Sequence, residues 1–393
     1  MQKILHTPEG VRDSYGRECE QKLALQDKLH AVIRSFGYRD IETPTFEYFD
    51  VFGKEIGTIP SRELYKFFDR EGNTLVLRPD FTPSIARAAS RYLLGSPVPV
   101  RLTYLGNAFI NQSSYQGRPK ETTQIGGELI GEGSADADAE AIAVVVRMLL
   151  AAGLKEFQII LGHVGFFQSL VQEAGFDEAT IAELKQLIKN KNTFGVEKLL
   201  AGQAVNEDLK AVFNSLTSLF GAKDALVRAE TMTENPGARA AVARLEQIRA
   251  ILEQYQVEQY VTFDLGMLSG YKYYTGILFR GYTFGTGDAV IKGGRYDRLL
   301  AKFGTDAPAV GFVAVIDQLQ NALTRQKIIQ ENTETRCMIF YAKEKLADAI
   351  SKAQELRGRG ICVELVRVDE NRTREDCRAY AQAEHCALVV ELI

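Results

Sequence analysis

Residues 263–312 read FDLGMLSGYKYYTGILFRGYTFGTGDAVIKGGRYDRLLAKFGTDAPAVGF, and this stretch decides the fold. From Tyr273 to Phe284 the residues are β-formers, and Asp288 to Lys292 makes a second short apolar run. Between them, Gly285-Thr286-Gly287 has the length of a hairpin connection. Gly293-Gly294 lets backbone pass close to another group, and Val310 to Ile316 has the unbroken apolar character of a buried strand. The expectation is an antiparallel sheet lined by tyrosines and floored by glycines, a fitting wall for a small polar molecule. An ordinary sheet core with turn glycines fits the same pattern.

The rest of the chain narrows the class. Its 393 residues suffice for a large core and two or three domains. With a formal net charge of −4, no broad basic surface faces a phosphate backbone, so nucleic acid is not an expected partner. No apolar run reaches the length of a membrane span, and MQKILHTPEG lacks the apolar core of a signal peptide. No membrane partner is expected. Cysteines 19, 337, 362, 377 and 386 are scattered, without a C-x-x-C pair or a His-rich cluster. The reading is a reduced, cytoplasmic protein with no metal and no cofactor.

Upstream, Leu25, Leu29, Val32, Ile33 and Phe36 recur at helical spacing, and Gly37 is placed to stop the helix. Tyr38 to Ile41 reads as a strand. Leu64 to Asp69 and Thr74 to Leu77 read as paired strands around the turn 70–73. They lead into Arg78-Pro79-Asp80-Phe81-Thr82-Pro83, followed by a helix from Ser84 to Leu94. A carboxylate at such a strand–helix junction suits an ammonium ligand, and equally suits the start of a helix. Val100 to Ile110 and Glu121 to Ile130 form a further strand pair, in which Gln124, Gly126 and Glu128 share one face. That face invites a ligand or simply meets solvent. Ser134 to Ala152 is helical with an acidic first turn, and about 165–255 is a nearly all-helical insertion. After a polar linker, residues 326–335, the alternation from 336 to 393 predicts a small βαβαβ unit with a parallel sheet. The core therefore spans 1–325.

KYYTG, GGRYD and PAVGF, in that order, resemble the active-site half of histidyl-tRNA synthetase. The resemblance implies an α+β fold: a class II aminoacyl-tRNA synthetase-like antiparallel sheet core flanked by helices, with a small C-terminal α/β domain similar to a truncated anticodon-binding domain. GYRDIETPTFEYFDVF resembles motif 1, which forms the dimer interface in that family, so a homodimer building block is expected. Asp80, Thr82, Gln124, Glu128, Tyr273 and Tyr274 fall on positions that hold histidine in the synthetases.

The departures from the synthetase lie on the nucleotide side. Adenylate formation needs cations where pyrophosphate charge develops. The arginine positions implied by the resemblance are occupied by Ile110, Ser269 and Gln318. The loop NQSSYQGRPKE keeps Gly117, Arg118 and Glu121 and lacks the charged residues expected between Ile110 and Gly117. TPEGVRD, LRPDFT, GHVGFF, FDLG and YYTGILF are similar to the ATP phosphoribosyltransferase regulatory subunit family, a catalytically silent relative of the synthetase. That resemblance implies a non-catalytic partner of a short-form ATP phosphoribosyltransferase catalytic subunit in the first step of histidine biosynthesis, with histidine as the feedback effector. An active histidyl-tRNA synthetase and a free-standing amino-acid sensor are the alternatives.

Overall fold

The computed structural model describes residues 5–53, 59–93, 95, 97–112, 119–268, 273–329 and 335–393. Contacts divide the chain into two compact units, residues 1–330 and 331–393.

The larger unit begins with α1 (Gly16–Ser35), whose Leu25, Leu29 and Ile33 are fully buried at successive helical turns. Gly37, at φ +84°, ends it in a left-handed conformation that glycine takes without strain. Next come β1 (Arg39–Asp40), β2 (Phe46–Tyr48), β3 (Lys66–Phe68), β4 (Thr74–Leu77) and α2 (Thr82–Tyr92). The long pair β5 (Val100–Phe109) and β6 (Glu121–Ile130) leads to α3 (Ala135–Ala151) and β7 (Phe157–His163). The predominantly helical stretch then comprises α4 (Val164–Ala174), α5 (Glu178–Lys189), α6 (Thr193–Ala201), α7 (Glu207–Ser215), the short β8 (Phe220–Gly221), α8 (Lys223–Thr231) and α9 (Pro236–Gln254). Strands β9 (Val261–Asp264), β10 (Ile277–Thr283), β11 (Ile291–Arg295) and β12 (Ala309–Val315) and helix α10 (Ile316–Arg325) complete the unit.

These strands form a nine-stranded sheet in the order β1-β5-β6-β12-β11-β10-β7-β9-β8. The sheet is antiparallel except where β1 meets β5 and β7 meets β9. One face packs on α1, α3 and α9. Helix α3 is buried on nearly all sides, as its alanine- and valine-rich sequence requires. On this face Arg295 of β11 pairs with the fully buried Asp138 of α3 at 2.8 Å, and Arg244 of α9 takes the other carboxylate oxygen at 2.7 Å. A charge removed from water needs such pairing. Nearby, His163 accepts a hydrogen bond from the Gly165 N–H at 3.1 Å, capping α4. Burial, reinforced by the two arginines, depresses its pKa to about 4 and keeps Nδ1 available as an acceptor.

The β10–β11 hairpin departs from the sequence expectation. Its strands are Ile277–Thr283 and Ile291–Arg295, so Tyr273 and Tyr274 precede the first strand and Asp288 lies in the connection. The connection spans 284–290 because other bonds claim its backbone. Thr286 Oγ1 bonds to both N and O of Asp288, and Arg325 and Gln326 hold the carbonyls of Gly285 and Phe284. The insertion also contributes a strand, since β8 pairs with β9 at the sheet edge.

A separate small sheet, β2-β4-β3, is antiparallel. The second unit contains β13 (Arg336–Tyr341), α11 (Leu346–Gly358), β14 (Cys362–Arg367), α12 (Arg374–Ala383) and β15 (Leu388–Leu392), with the parallel order β14-β13-β15. Thr373 starts α12 with a reciprocal capping box to Asp376. Among the described residues, no helix is long and apolar enough to cross a membrane.

Candidate functional site

The second face of the large sheet carries the site, and strand register decides which side chains share it. One row across the sheet is Leu102, Glu128, Gly311, Gly294 and Leu278. The adjacent row is Tyr104, Gly126, Val313, Lys292 and Arg280. Directly paired residues in antiparallel strands point to one side, so three glycines leave a depression in this face. A side chain at Gly294 would meet the Tyr274 ring at 2.6 Å, and one at Gly311 would overlap the Glu128 carboxylate.

The junction between β4 and α2 builds one wall. Arg78 is buried and donates to the carbonyls of Asn107 at 2.9 Å and Thr43 at 2.8 Å. Its guanidinium lies 4.0 Å from the Phe81 ring centroid, and Phe81 stacks on Tyr104 at 4.3 Å. This layered arrangement fixes the turn that presents Asp80 and Thr82. Elsewhere on the lining, Tyr273 and Tyr274 lie 4.7 Å apart, centroid to centroid, and Tyr273 meets Tyr296 edge-on at 6.0 Å.

Asp80, Thr82, Gln124, Tyr273 and Tyr274 line one cavity of about 90 Å³, together with Tyr104, Ile110, Lys292, Tyr296, Val313 and Val315. That volume is far below the roughly 300 Å³ of drug-sized ligand pockets, which restricts an occupant to a small molecule. Larger clefts of about 700 and 770 Å³ lie elsewhere and contain none of the six residues expected to hold histidine, although Glu121 lines the second.

Glu128 does not itself line the cavity. It lies fully buried beneath the floor, where Thr82 Oγ1 donates to its Oε1 at 2.7 Å and the Tyr296 hydroxyl donates to its Oε2. Burial lifts its pKa to about 8, only partly opposed by those two hydrogen bonds, with nearby Asp80 adding to the rise. Asp80 accepts from the Thr82 N–H at 3.2 Å and from the Tyr273 hydroxyl at 3.4 Å, and burial raises its pKa as well. Of the two carboxyls only Asp80 reaches the cavity, where a cationic group would favour its ionised form.

Ile110 lines the cavity with the apolar Val313 and Val315. Gln318 lies in the first turn of α10, outside the described lining, and accepts from Thr286 Oγ1 at 3.3 Å. Ser269, Gly117 and Arg118 lie outside the described residues. Sequence reasoning missed Arg78, Tyr104, Tyr296 and Lys292. Two of these had a signal: Tyr104 falls on the ligand face opposite Gly126 once β5 and β6 are paired, and Lys292 shares its face with Gly294 by alternation. Among the described residues, no group of three or more His, Cys, Asp or Glu is arranged to hold a metal.

Fold and pocket together define the class: a class II aminoacyl-tRNA synthetase-like protein of the histidyl type. The family model described as histidyl-tRNA synthetase matches residues 10–319. The crystal structure of histidyl-tRNA synthetase from Nostoc has the same fold, with a TM-score of 0.80 at 21% identity over 98% of this chain and 90% of that one. Among proteins nearer in sequence, one from Acetivibrio thermocellus named ATP phosphoribosyltransferase regulatory subunit is 40% identical over 361 residues, 92% of this chain and 86% of that relative. A Clostridium kluyveri protein of the same name is 34% identical over 383 residues, 97% of each chain. A Bacillus halodurans crystal structure, described as an ATP phosphoribosyltransferase regulatory subunit/histidyl-tRNA synthetase, gives a TM-score of 0.89 at 33% identity over 100% of this chain and 99% of that one. The chain belongs to the ATP phosphoribosyltransferase regulatory subunit family.

Proposed function

We propose that this chain is the non-catalytic regulatory subunit of an ATP phosphoribosyltransferase, acting with a separate short-form catalytic subunit and binding histidine as its effector. One observation supports the non-catalytic reading: Ile110, at the position that the synthetase resemblance gives to a motif 2 arginine, lines the cavity with the apolar Val313 and Val315. Losing one transition-state donor costs about 2.7–4 kcal/mol, and Ile110 and Gln318 stand at two such positions in the described chain. The amino-acid side keeps Asp80, Thr82, Gln124 and both tyrosines around one cavity, supporting a receptor for a small cationic amino acid. Histidine bound there acts by favouring one quaternary state, and a coupling of about 1–3 kcal/mol suffices for feedback.

The test is phosphoribosyl-ATP formation by the short-form catalytic subunit with and without this chain, followed by histidine titration. Activity is expected only when both chains are present, with inhibition by histidine. Histidine-dependent ATP–pyrophosphate exchange by this chain alone would overturn the reading and restore the synthetase alternative.

A homodimer is the building block of this proposal, and the small sheet supports it. Phe46 and Tyr48 of β2, in the segment that resembles motif 1, and Phe67 of β3 are 51%, 57% and 37% exposed, and the register places all three on one face of this sheet, with Phe46 and Phe67 edge-on at 5.7 Å. Burying one phenylalanine stabilises by about 1.5–3 kcal/mol. Analytical ultracentrifugation should therefore read a dimer whose dissociation constant rises about a hundredfold in the Phe46→Ser, Phe67→Ser variant. An unchanged dimer would place the interface elsewhere.

A further inference from the structure

The cavity has a charge pattern that the synthetase resemblance does not supply. Asp80 is the one acid and Lys292 the one cation among its described lining residues. Lys292 stands on β11 directly opposite Arg280 of β10, so the two share a face with Cβ atoms roughly 5 Å apart. Two cations on neighbouring strands raise the positive potential on this side of the sheet. The rest of their row is Tyr104, Gly126 and Val313 on one side and Ile160 on the other. An α-amino acid carries an ammonium and a carboxylate on one carbon, and this cavity presents an anionic and a cationic side chain to one small volume.

We propose that Lys292 receives the carboxylate of the bound amino acid, with Arg280 beside it strengthening the positive potential. The inference deepens the effector-site reading and rests on it. Lys292 thereby provides a cation for the amino acid in a pocket where Ile110 occupies the position of the motif 2 arginine. A carboxylate held against β11, in a cavity also walled by Ile110 and Val315, is a receptor arrangement: the carboxylate is recognised and not directed to a nucleotide. Lys292 is thus a specificity-determining residue, and a decarboxylated or amidated ligand loses its contact.

The experiment is calorimetric titration of the full-length protein with L-histidine and with L-histidinamide, for the wild type and for Lys292→Met and Lys292→Arg. A charge-assisted hydrogen bond to a carboxylate predicts that the wild type prefers histidine over the amide by about ten- to a hundredfold. Lys292→Met loses that preference by weakening histidine alone, and Lys292→Arg largely keeps it. Equal weakening of both ligands by Lys292→Met, or no weakening at all, overturns the proposal. Circular dichroism of each variant establishes that it is folded. If the wild type binds no histidine, a screen of the other amino acids separates the two readings. Binding that depends on Lys292 upholds the carboxylate site and rejects histidine as the ligand, whereas binding of none rejects both.

Discussion

Replacing Glu128 with glutamine is expected to remove a pH-dependent loss of stability of about 4 kcal/mol between pH 4.5 and pH 8. The buried carboxyl titrates near 8 in the folded protein, against an ordinary value of 4.5. Between those values the folded state holds a proton that the unfolded chain has released. Stability therefore falls as pH rises, by about 1.4 kcal/mol per unit, and the stabilisation is complete only below about pH 4.5. Asp80, whose pKa burial also raises, contributes with the same sign. Glutamine keeps the shape and has no proton to lose. It accepts from Thr82 through its oxygen and donates to the Tyr296 hydroxyl through its amide. Urea unfolding at pH 5, 6, 7 and 8 is the measurement. The wild type should fall away from the variant as pH increases, and parallel stability profiles would show that Glu128 ionises normally in the fold.

Alanine at Gly311 is expected to abolish effector binding, a loss of more than about a hundredfold, and to lower stability by about 3 kcal/mol. The added methyl overlaps the Glu128 carboxylate. Gly311 cannot retreat, because its strand is hydrogen-bonded to β6 on one side and β11 on the other. Glu128 must move instead, giving up its bonds to Thr82 and Tyr296 in a region without room to replace them. The loss comes from the location of the glycine, not from its type. At Gly358 an added methyl would have nothing within 4 Å, so alanine there should be accepted without loss. Adding Glu128→Ala to Gly311→Ala should recover stability without recovering binding. Calorimetry with histidine and urea unfolding read both effects. Undiminished binding by Gly311→Ala would remove Glu128 from the floor of the site.

Much of the scaffold was legible because its signals are local. The helical spacing of Leu25, Leu29 and Ile33, the alternation along β5 and β6, and the βαβαβ pattern of the C-terminal unit each depend on neighbours within a few residues. The β10–β11 hairpin was misjudged for the opposite reason. Arg325 and Gln326, some forty residues away, hold its connection open through the carbonyls of Gly285 and Phe284. Glycine and threonine in a row look like a tight turn until such distant donors are known.

The site divides in the same way. The sequence by itself determined the family motifs, the residue types of the proposed amino-acid pocket in Asp80, Thr82, Gln124, Tyr273 and Tyr274, and the uncharged residues Ile110 and Gln318 at positions that the resemblance gives to arginine. Tertiary structure alone decided that Glu128 lies beneath the cavity, sealed by Tyr296 from beyond β11 and by Gly311 of β12. It alone placed Lys292 and Arg280 side by side across two strands. A residue's type can be read along the chain. Its protonation and its partners depend on burial and register, which exist only after strands far apart in sequence have paired.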